Sequence, residues 1–314
     1  MFVKVLQSLI FGLFQGCLYG IMGFGLSLIF STVGVMNFAH GNSGMIGVFV
    51  GWTVLFLTKN IFLAFLAAII SATILAIFID KALMKRVKGL SHSAMLIITL
   101  GLLLIFEGLA VIIWGTQPLI FPEIFGFSPK IVFLPQSLNK SNIPLIIPGN
   151  DLAVFGTIMA LLLLLIVFFK YSKPGLAVQA RSEDEIGARV IGINTQATDT
   201  LSWIFGIATA VFAGLLIAPK TTVNPNMLTN LQFYGFTAAV FGGFSSIVGA
   251  MAGGLILGVI EKLVILGLDE LFLLLHITSI NAVDLQLSIV LLCIIVTLIV
   301  KPTGLFGNKY KGKV

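Results

Sequence analysis

Residues 233–268 read FYGFTAAVFGGFSSIVGAMAGGLILGVIEKLVILGL, an apolar run whose charged residues are the neighbouring Glu261 and Lys262. A bilayer-spanning helix needs about 20 such residues. At about 1.5 Å of rise per residue, a single helix of this length would cross the hydrocarbon core almost twice. The sequence therefore predicts two helices in series, with a bend at the small-residue stretch Phe241–Ser246.

Seven further apolar runs have the length of one span. They are residues 5–30, 35–57, 61–79, 94–114, 152–169, 201–218 and 285–300. Of 314 residues, 58% are hydrophobic and 10% are charged, against about a quarter charged in a soluble domain. The runs lack the alternation of a membrane β-barrel. The predicted fold class is therefore an all-α polytopic membrane protein with about eight or nine transmembrane helices.

The basic residues are concentrated in three segments, which hold 12 of the 18 lysines and arginines. The segments contain Lys81, Lys85, Arg86 and Lys88; Lys170, Lys173, Arg181 and Arg189; and Lys301, Lys309, Lys311 and Lys313. The positive-inside rule places all three in the cytoplasm. With the bend counted, this arrangement requires nine crossings, an external N-terminus and a cytoplasmic C-terminus. The net charge of +6 thus reflects membrane orientation and excludes a basic nucleic-acid surface.

The chain is interpreted as one transmembrane domain, residues 1–314. Its parts are a first half 1–114, an external loop 115–150, a linking span 151–169, a cytoplasmic segment 170–200, a second half 201–300 and a cytoplasmic tail 301–314. The spans of the two halves run in opposite order, as an inverted repeat would. No convincing residue identity relates the halves, so the repeat is a hypothesis.

Polar and small residues interrupt one span in each half. Unpaired polar groups in hydrocarbon cost several kcal/mol, and a broken helix frees backbone groups that can contact a solute. We expect these residues to line or gate a translocation pathway: Asn37, His40, Gly41, Asn42, Ser43, Gly242, Gly243, Ser245 and Ser246. The alternative is a helix start at the cytoplasmic interface, capped by Asn37, with tight packing. For Gly253, Gly254 and Gly258, close helix packing is the preferred interpretation.

Two carboxylates lie within the predicted spans. Glu107 is nearer the outer end of its span, and an interfacial position is preferred over a proton-relay role. Glu261 is next to Lys262, so the two charges either neutralise each other or reach the membrane surface.

Catalytic and metal-binding patterns are not found in the sequence. His40, His92 and His276 have no paired spacing that indicates a metal site, and Cys17 and Cys293 are interpreted as small buried hydrophobes. There is no phosphate loop and no nucleophile elbow. We therefore expect no catalytic residue, no metal and no bound cofactor, and any use of ATP requires a partner.

The segment from Lys170 to Thr200 has features of a docking element. Pro174 and Gly175 are expected to end the preceding span, and Ser182 with Glu185 forms a capping-box pattern for a short helix to about Ile191, ended by Gly192. The candidate docking residues are Arg181, Ser182, Glu183, Asp184, Glu185, Gly187, Ala188, Arg189 and Gly192, with charges surrounding a small-residue face at Gly187 and Ala188. The alternative is an ordinary solvated loop helix.

Four stretches occur in an order that resembles the branched-chain amino acid ABC transporter permease family. They are Met36–Gly41 (MNFAHG), Gly175–Arg181 (GLAVQAR) continuing through Glu183–Glu185 to Gly192–Asn194, Val240–Ala250 (VFGGFSSIVGA) and Lys301–Gly307 (KPTGLFG). The resemblance covers nearly the whole chain. It implies an inner-membrane transport subunit that is not itself an enzyme. The implied partners are a second permease subunit, two ATPase subunits that use ATP and Mg²⁺, and an extracytoplasmic solute-binding protein.

The resemblance further implies alternating access, with the Ser182–Gly192 helix coupling the chain to an ATPase. The sequence departs from the family at Asn42, where Glu is frequent, and this leaves the solute open, because urea and amide importers use the same kind of permease. A passive channel or secondary carrier for small polar solutes is a further alternative. An intramembrane enzyme at His40 is the least favoured, because no second catalytic group lies at a useful spacing.

Overall fold

The computed structural model describes residues 2–87, 91–126, 130–134, 145–276 and 281–307, which form a bundle of helices. The helices are α1 (Phe2–Val33), α2 (His40–Thr58), α3 (Ile61–Phe78), α4 (Lys85–Val87), α5 (His92–Trp114), α6 (Gly149–Tyr171), α7 (Lys173–Glu183), α8 (Glu185–Val190), α9 (Thr195–Thr221), α10 (Thr229–Gly242), α11 (Ile247–Leu274) and α12 (Gln286–Val300). A π-helical turn, Ile79–Met84, joins α3 to α4, and a 3-10 turn, Ala282–Leu285, precedes α12. Within the described residues, eight helices are long and apolar enough to cross a membrane, which confirms the predicted fold class.

The bend predicted within the long apolar run is confirmed. Helix α10 ends at Gly242 and α11 begins at Ile247. Gly243 takes a φ of +103°, a backbone conformation that favours glycine, and the Ser246 side chain accepts a hydrogen bond from the Gly249 backbone N–H at 3.0 Å to cap α11. The two helices pack antiparallel, because Gly242 lies against Gly249 while Gly253 lies against Ala238 further back along α10.

The described residues of the three basic segments lie at one end of the bundle, which we call the basic end. Lys85 donates a hydrogen bond to Gln196, near the start of α9, at 3.2 Å. Arg181 also pairs with the first turns of α9, and the stretch after Lys301 returns to the end of α10, where the Leu305 N–H donates to the Phe241 carbonyl at 2.8 Å. Lys88, Lys309, Lys311 and Lys313 lie outside the described residues. Over the described residues, the eight spanning helices and the short helix α10 make nine passages between the two ends.

Helices α2 and α10 both begin about halfway along the bundle. Gly44, near the start of α2, packs against Ala210, which is near the midpoint of α9. Residues 34–39 bring the chain to this level from the basic end, and residues 222–228 bring it there from the opposite end before α10. The two helices then run in opposite directions from a shared level. This is the arrangement that an inverted repeat predicts.

Helices α1 and α11 pack backbone against backbone along a glycine seam, formed by Gly12, Gly16, Gly254 and Gly258. A side-chain carbon at Gly12 would lie 2.8 Å from the Gly258 carbonyl oxygen, and one at Gly16 would lie 2.8 Å from the Gly254 carbonyl oxygen. Small residues permit this approach between membrane helices. The packing role predicted for Gly253, Gly254 and Gly258 is confirmed.

The predicted external loop 115–150 contains two short antiparallel strands, β1 (Lys130–Leu134) and β2 (Leu145–Pro148). It lies at the end opposite the basic end, between the end of α5 and the start of α6. Residues 127–129 and 135–144 are outside the description. The Trp52 side chain at the end of α2 donates to the Ile120 carbonyl at 3.0 Å and so fixes the loop to the bundle.

Candidate functional site

The first turns of α2 and α10 are joined by one side chain, Gln232. Its Oε1 accepts a hydrogen bond from the Gly41 N–H at 2.5 Å, and its Nε2 donates to the Phe38 carbonyl at 2.6 Å. Gln232 is 4% exposed. The first N–H groups of a helix have no hydrogen-bond partner within the helix. Gln232 therefore supplies a partner for the Gly41 N–H at the start of α2 and for a carbonyl of the loop before it. We call Asn37, His40, Ser43 and Gln232 the polar junction.

His40 and Asn37 are buried within the polar junction with donor or acceptor atoms unused. His40 is fully buried and Asn37 is 2% exposed. Among the described residues, neither ring nitrogen of His40 has a hydrogen-bond partner, and neither does Nδ2 of Asn37. The His40 ring lies against Gly25 of α1, beside Thr209 of α9. Since unpaired buried polar groups are costly, these atoms are suited to bind water or a polar solute.

The alternative interpretation of this cluster is wrong about the cap by Asn37 but right about tight packing, since a side-chain carbon at Gly44 would lie 2.8 Å from the Ala210 side chain. Helix α2 begins halfway along the bundle, its cap position is Ala39 and that position makes no side-chain cap. Asn37 instead accepts from the Ala39 N–H at 3.1 Å, and Ser43 donates to the Ala39 carbonyl at 2.7 Å. Asn42 is also buried, and its amide lies 3.4 Å from the Leu103 carbonyl of α5.

The second predicted pathway stretch, Gly242 to Ser246, does not meet the first. It lies at the basic end: Gly242 is ten residues along α10 from Gln232, about 15 Å at ordinary helical rise. There the Ser27 hydroxyl donates to the Phe244 carbonyl at 2.9 Å, and the Phe306 N–H donates to the Gly242 carbonyl at 3.0 Å. Gly242 and Gly243 are buried, while Ser245 is exposed. The residue that does meet the first stretch, Gln232, was outside the predicted pathway set.

The predicted docking segment forms two helices, α7 and α8, at the basic end. The capping-box assignment is wrong: Ser182 lies inside α7 and donates to the Gln179 carbonyl at 2.8 Å. Asp184 caps α8 instead, since its Oδ1 accepts from the Ile186 N–H at 3.0 Å. Pro174 also has another role, because it lies in the first turn of α7 and begins a helix, where its missing N–H costs nothing. Gly192, with a φ of +86°, follows the end of α8.

Arg181 is buried and anchors α7 to its neighbours. It forms ion pairs with Glu185 at 2.9 Å and with Asp199 of α9 at 3.3 Å. Arg189 pairs with the same Glu185 from the next turn of α8. These contacts hold α7, α8 and the start of α9 together as a unit.

The exposed face of α8 is apolar, not the small-residue face that the sequence predicted. Ala188 is 3% exposed and packs inward, and Gly187 is half-buried. Ile186, Val190 and Ile191 are 68%, 81% and 74% exposed. Glu183, Asp184 and Arg189 are exposed beside them. An apolar patch with a charged rim at the end of a membrane protein is typical of a protein contact.

A buried carboxylate lies between α1, α11 and α12. Glu261 accepts hydrogen bonds from the Tyr19 hydroxyl and the Gln286 amide, both at 2.6 Å, and Lys262 lies 3.5 Å away. Glu261 is fully buried, so it does not reach the membrane surface as one interpretation expected. Glu107 is half-buried near the far end of α5. In the part of the chain that the structure describes, no group of three His, Cys, Asp or Glu residues is placed to hold a metal ion.

Comparison with known proteins gives a consistent result. Residues 8–300 match the family model described as branched-chain amino acid transport system / permease component. The chain is 29% identical to the high-affinity branched-chain amino acid transport system permease protein LivH of Salmonella typhimurium, over all of this chain and 99% of that protein. It is 28% identical to the permease protein BraD of Pseudomonas aeruginosa, over 82% of this chain and 85% of BraD. It is also 28% identical to a probable branched-chain amino acid transport permease protein of Methanocaldococcus jannaschii, over 93% of this chain and 89% of that protein.

Proposed function

The chain belongs to the branched-chain amino acid transport system permease family, and we propose that it is the membrane-spanning subunit of an ATP-driven importer for branched-chain or related amino acids. The observation that carries the proposal is the position of α8. Its exposed apolar patch lies at the same end of the bundle as the described basic residues of all three basic segments. The positive-inside rule assigns that end to the cytoplasm, where an ATPase subunit would meet it.

The contacts supply a route for force from α8 to the polar junction. Glu185 of α8 and Asp199 of α9 both pair with Arg181, so a displacement of α8 is transmitted to α9. Halfway along α9, Thr209 lies beside His40, and Ala210 lies against Gly44 of α2. Movement of α9 by an ATPase would therefore shift the start of α2 relative to Gln232 of α10.

The polar junction is assigned as the gate of this subunit. It is closed here, because Gln232 holds the starts of α2 and α10 together and the side chains are buried. Separating the two helix starts would expose the unused groups of Asn37 and His40 to water or to a polar solute. Alternating access requires a bistable element of this kind.

The importer would contain further subunits. A second permease subunit, identical or related, would complete the pathway, and two ATPase subunits would bind ATP and Mg²⁺ and dock on α8. A solute-binding protein would deliver the solute at the opposite end. The N-terminus of α1 lies at that opposite end, so it would be external in the inner membrane, with the C-terminal tail in the cytoplasm.

Asn42 favours one alternative solute class. An amide at this position, buried and near the polar junction, would suit urea or short amides, which lack the ammonium and carboxylate charges of an amino acid. The same permease architecture would carry either class. A passive channel is less compatible with a junction closed by two short hydrogen bonds.

Uptake by the reconstituted importer tests the proposal. We expect uptake of radiolabelled leucine into proteoliposomes to require ATP, both ATPase subunits and the binding protein. The double variant Ile186→Ser/Val190→Ser should lower uptake by at least about tenfold, the loss expected when about 1.4 kcal/mol of docking energy is removed. Val283→Ser, an exposed apolar residue at the opposite end, should leave uptake unchanged. Uptake by this chain alone, or uptake of urea with no uptake of leucine, would contradict the amino acid importer.

A further inference from the structure

A cavity of about 450 Å³ opens at the basic end, beside the docking segment. It lies between the end of α1, the π-helical turn after α3, the start of α5 and the start of α9, with α7 and α8 on one side. Its volume is within the range of small-molecule sites. It is separate from the polar junction, since Asn37, His40, Ser43 and Gln232 are not among its lining residues.

The chemistry of the lining selects for a particular ligand class. One part of the wall is aliphatic and includes Val33, Val35, Leu201 and Ile204. The charged lining residues are three carboxylates and three cations: Asp80, Glu185, Asp199, Lys81, Lys85 and Arg181. A lining without net charge gives no net attraction to an anion or a cation, whereas a small zwitterion can meet both signs at once.

The charges differ in how strongly they are engaged. Arg181 is buried in its ion pairs with Glu185 and Asp199. Lys85 is exposed and makes a longer hydrogen bond of 3.2 Å to Gln196. Asp80 is 9% exposed and accepts from the Thr200 hydroxyl through one of its two oxygens. Lys81 is also exposed, but Lys85 is the lining lysine held at the start of α9 through Gln196. We therefore assign Lys85 and the second oxygen of Asp80 to a ligand carboxylate and a ligand ammonium.

We propose that this cavity binds a free amino acid with an aliphatic side chain from the cytoplasm, and that the bound amino acid inhibits further uptake. This inference rests on the proposed function and adds regulation to it. Val33 and Val35 flank the loop that leads to the polar junction, while Leu201 and Ile204 belong to α9. An occupant in contact with both sides would resist the movement of α9 relative to α2 that opens the gate.

The test uses the complete importer in proteoliposomes, with ATP and unlabelled leucine trapped inside and the binding protein outside. Initial uptake of external radiolabelled leucine is measured against internal leucine concentration. Saturating internal leucine should lower the initial rate by about fivefold or more, a typical allosteric coupling. Lys85→Gln should abolish this inhibition without lowering the rate measured in the absence of internal leucine. Arg86→Gln removes the same charge from the adjacent exposed residue, which does not line the cavity, and should behave like the unmodified protein.

A second variant tests the site itself. Ala197→Phe places a bulky ring in the lining and should abolish saturable binding of radiolabelled leucine to the importer in nanodiscs without the binding protein. Equal inhibition in the Lys85→Gln and Arg86→Gln variants, or an initial rate that does not respond to internal leucine, would overturn the inference. A complete lack of ATP-driven uptake without internal leucine would instead overturn the proposed function, so the two failures are distinguishable.

Discussion

The glycine seam and the polar junction both join the first half of the chain to the second, but they do so by different physical means. Along the seam, α1 and α11 touch through backbone atoms over several turns, and the buried Glu261 beside it has partners at Tyr19 and Gln286. At the junction, Gln232 links the starts of α2 and α10 through its two hydrogen bonds, and the Phe38 ring contacts the Phe236 ring of α10 with centroids 5.2 Å apart. Unpaired groups of His40 and Asn37 lie beside this link.

This difference assigns the two regions to different roles. Close-packed interfaces with satisfied polar groups have a single low-energy arrangement, so the seam is the rigid frame of the bundle. The junction is joined by the two hydrogen bonds of Gln232 and one pair of rings, so its separation costs far less free energy than the separation of an interface packed over several turns. The junction is therefore the part of the bundle that can alternate between two states.

The largest effect is expected from a substitution in the seam. Gly254→Leu would force a side chain into the backbone of Gly20 and should cost more than the about 1–3 kcal/mol of ordinary overpacking. We expect the variant to be absent from the membrane or to melt far below the unmodified protein. Gly101→Leu is the matched control, since a side chain at Gly101 of α5 meets open space. Equal stability of the two variants would mean that the seam is not a rigid frame.

A substitution at the junction should remove transport and leave the protein assembled. Gln232→Leu deletes both hydrogen bonds and leaves the Gly41 N–H unpaired, at a cost of about 1–3 kcal/mol. We expect normal membrane insertion, a modest drop in melting temperature and loss of ATP-coupled uptake, because the closed state of the gate is weakened. Uptake at the normal rate, with ATP hydrolysis still coupled to it, would show that the junction is not the gate.

Substitution of Glu261, the carboxylate beside the seam, should have a smaller effect, and it should lower stability without changing transport. Glu261→Leu leaves the Tyr19 hydroxyl and the Gln286 amide without their shared partner and should lower stability by about 1–3 kcal/mol. Glu261→Gln keeps an acceptor for Tyr19 and should restore most of that loss. Thermal melting of the purified chain measures both. If Glu261→Gln folds normally but loses uptake, the carboxylate has a role in transport that the frame does not explain.

The smallest effect distinguishes the two candidate caps of α8. Asp184→Ala removes the hydrogen bond to the Ile186 N–H and should cost about 1 kcal/mol of local helix stability. Ser182→Ala should have almost no effect, because Ser182 lies inside α7. Hydrogen exchange of the amides in α8 reports the difference directly. Faster exchange in the Ser182→Ala variant than in the Asp184→Ala variant would instead support the capping box of Ser182 and Glu185 that the sequence predicted.

Much of the frame could be predicted from the sequence, because the signals are local. The run at residues 233–268 is too long for one span, and its Gly-Gly and Ser-Ser pairs mark where it bends. The charge asymmetry correctly groups the described residues of the three basic segments at one end. The glycine spacing from Gly249 to Gly258 likewise indicates close helix packing.

The gate could not be predicted, because its contacts join distant parts of the chain. Gly41 and Gln232 are 191 positions apart in the sequence. Residues 222–228 have the sequence of an external loop, although in the structure they enter the bundle. Gln232 itself stands one residue before the apolar run, and an amide at the edge of a span was the available signal. Arg181 is a candidate docking residue by sequence but is buried in the structure, and its burial could not be predicted because it depends on Asp199, 18 positions away.

The most direct test of the account is the side of the membrane on which α8 lies. Ile186→Cys and Val283→Cys, each exposed at one end of the bundle, are labelled with a membrane-impermeant maleimide in right-side-out and inside-out vesicles. We expect Ile186→Cys to be labelled in inside-out vesicles and to be protected when the ATPase subunits are added, and Val283→Cys to be labelled in right-side-out vesicles. Labelling of Ile186→Cys from the outside would contradict the docking of an ATPase on this chain.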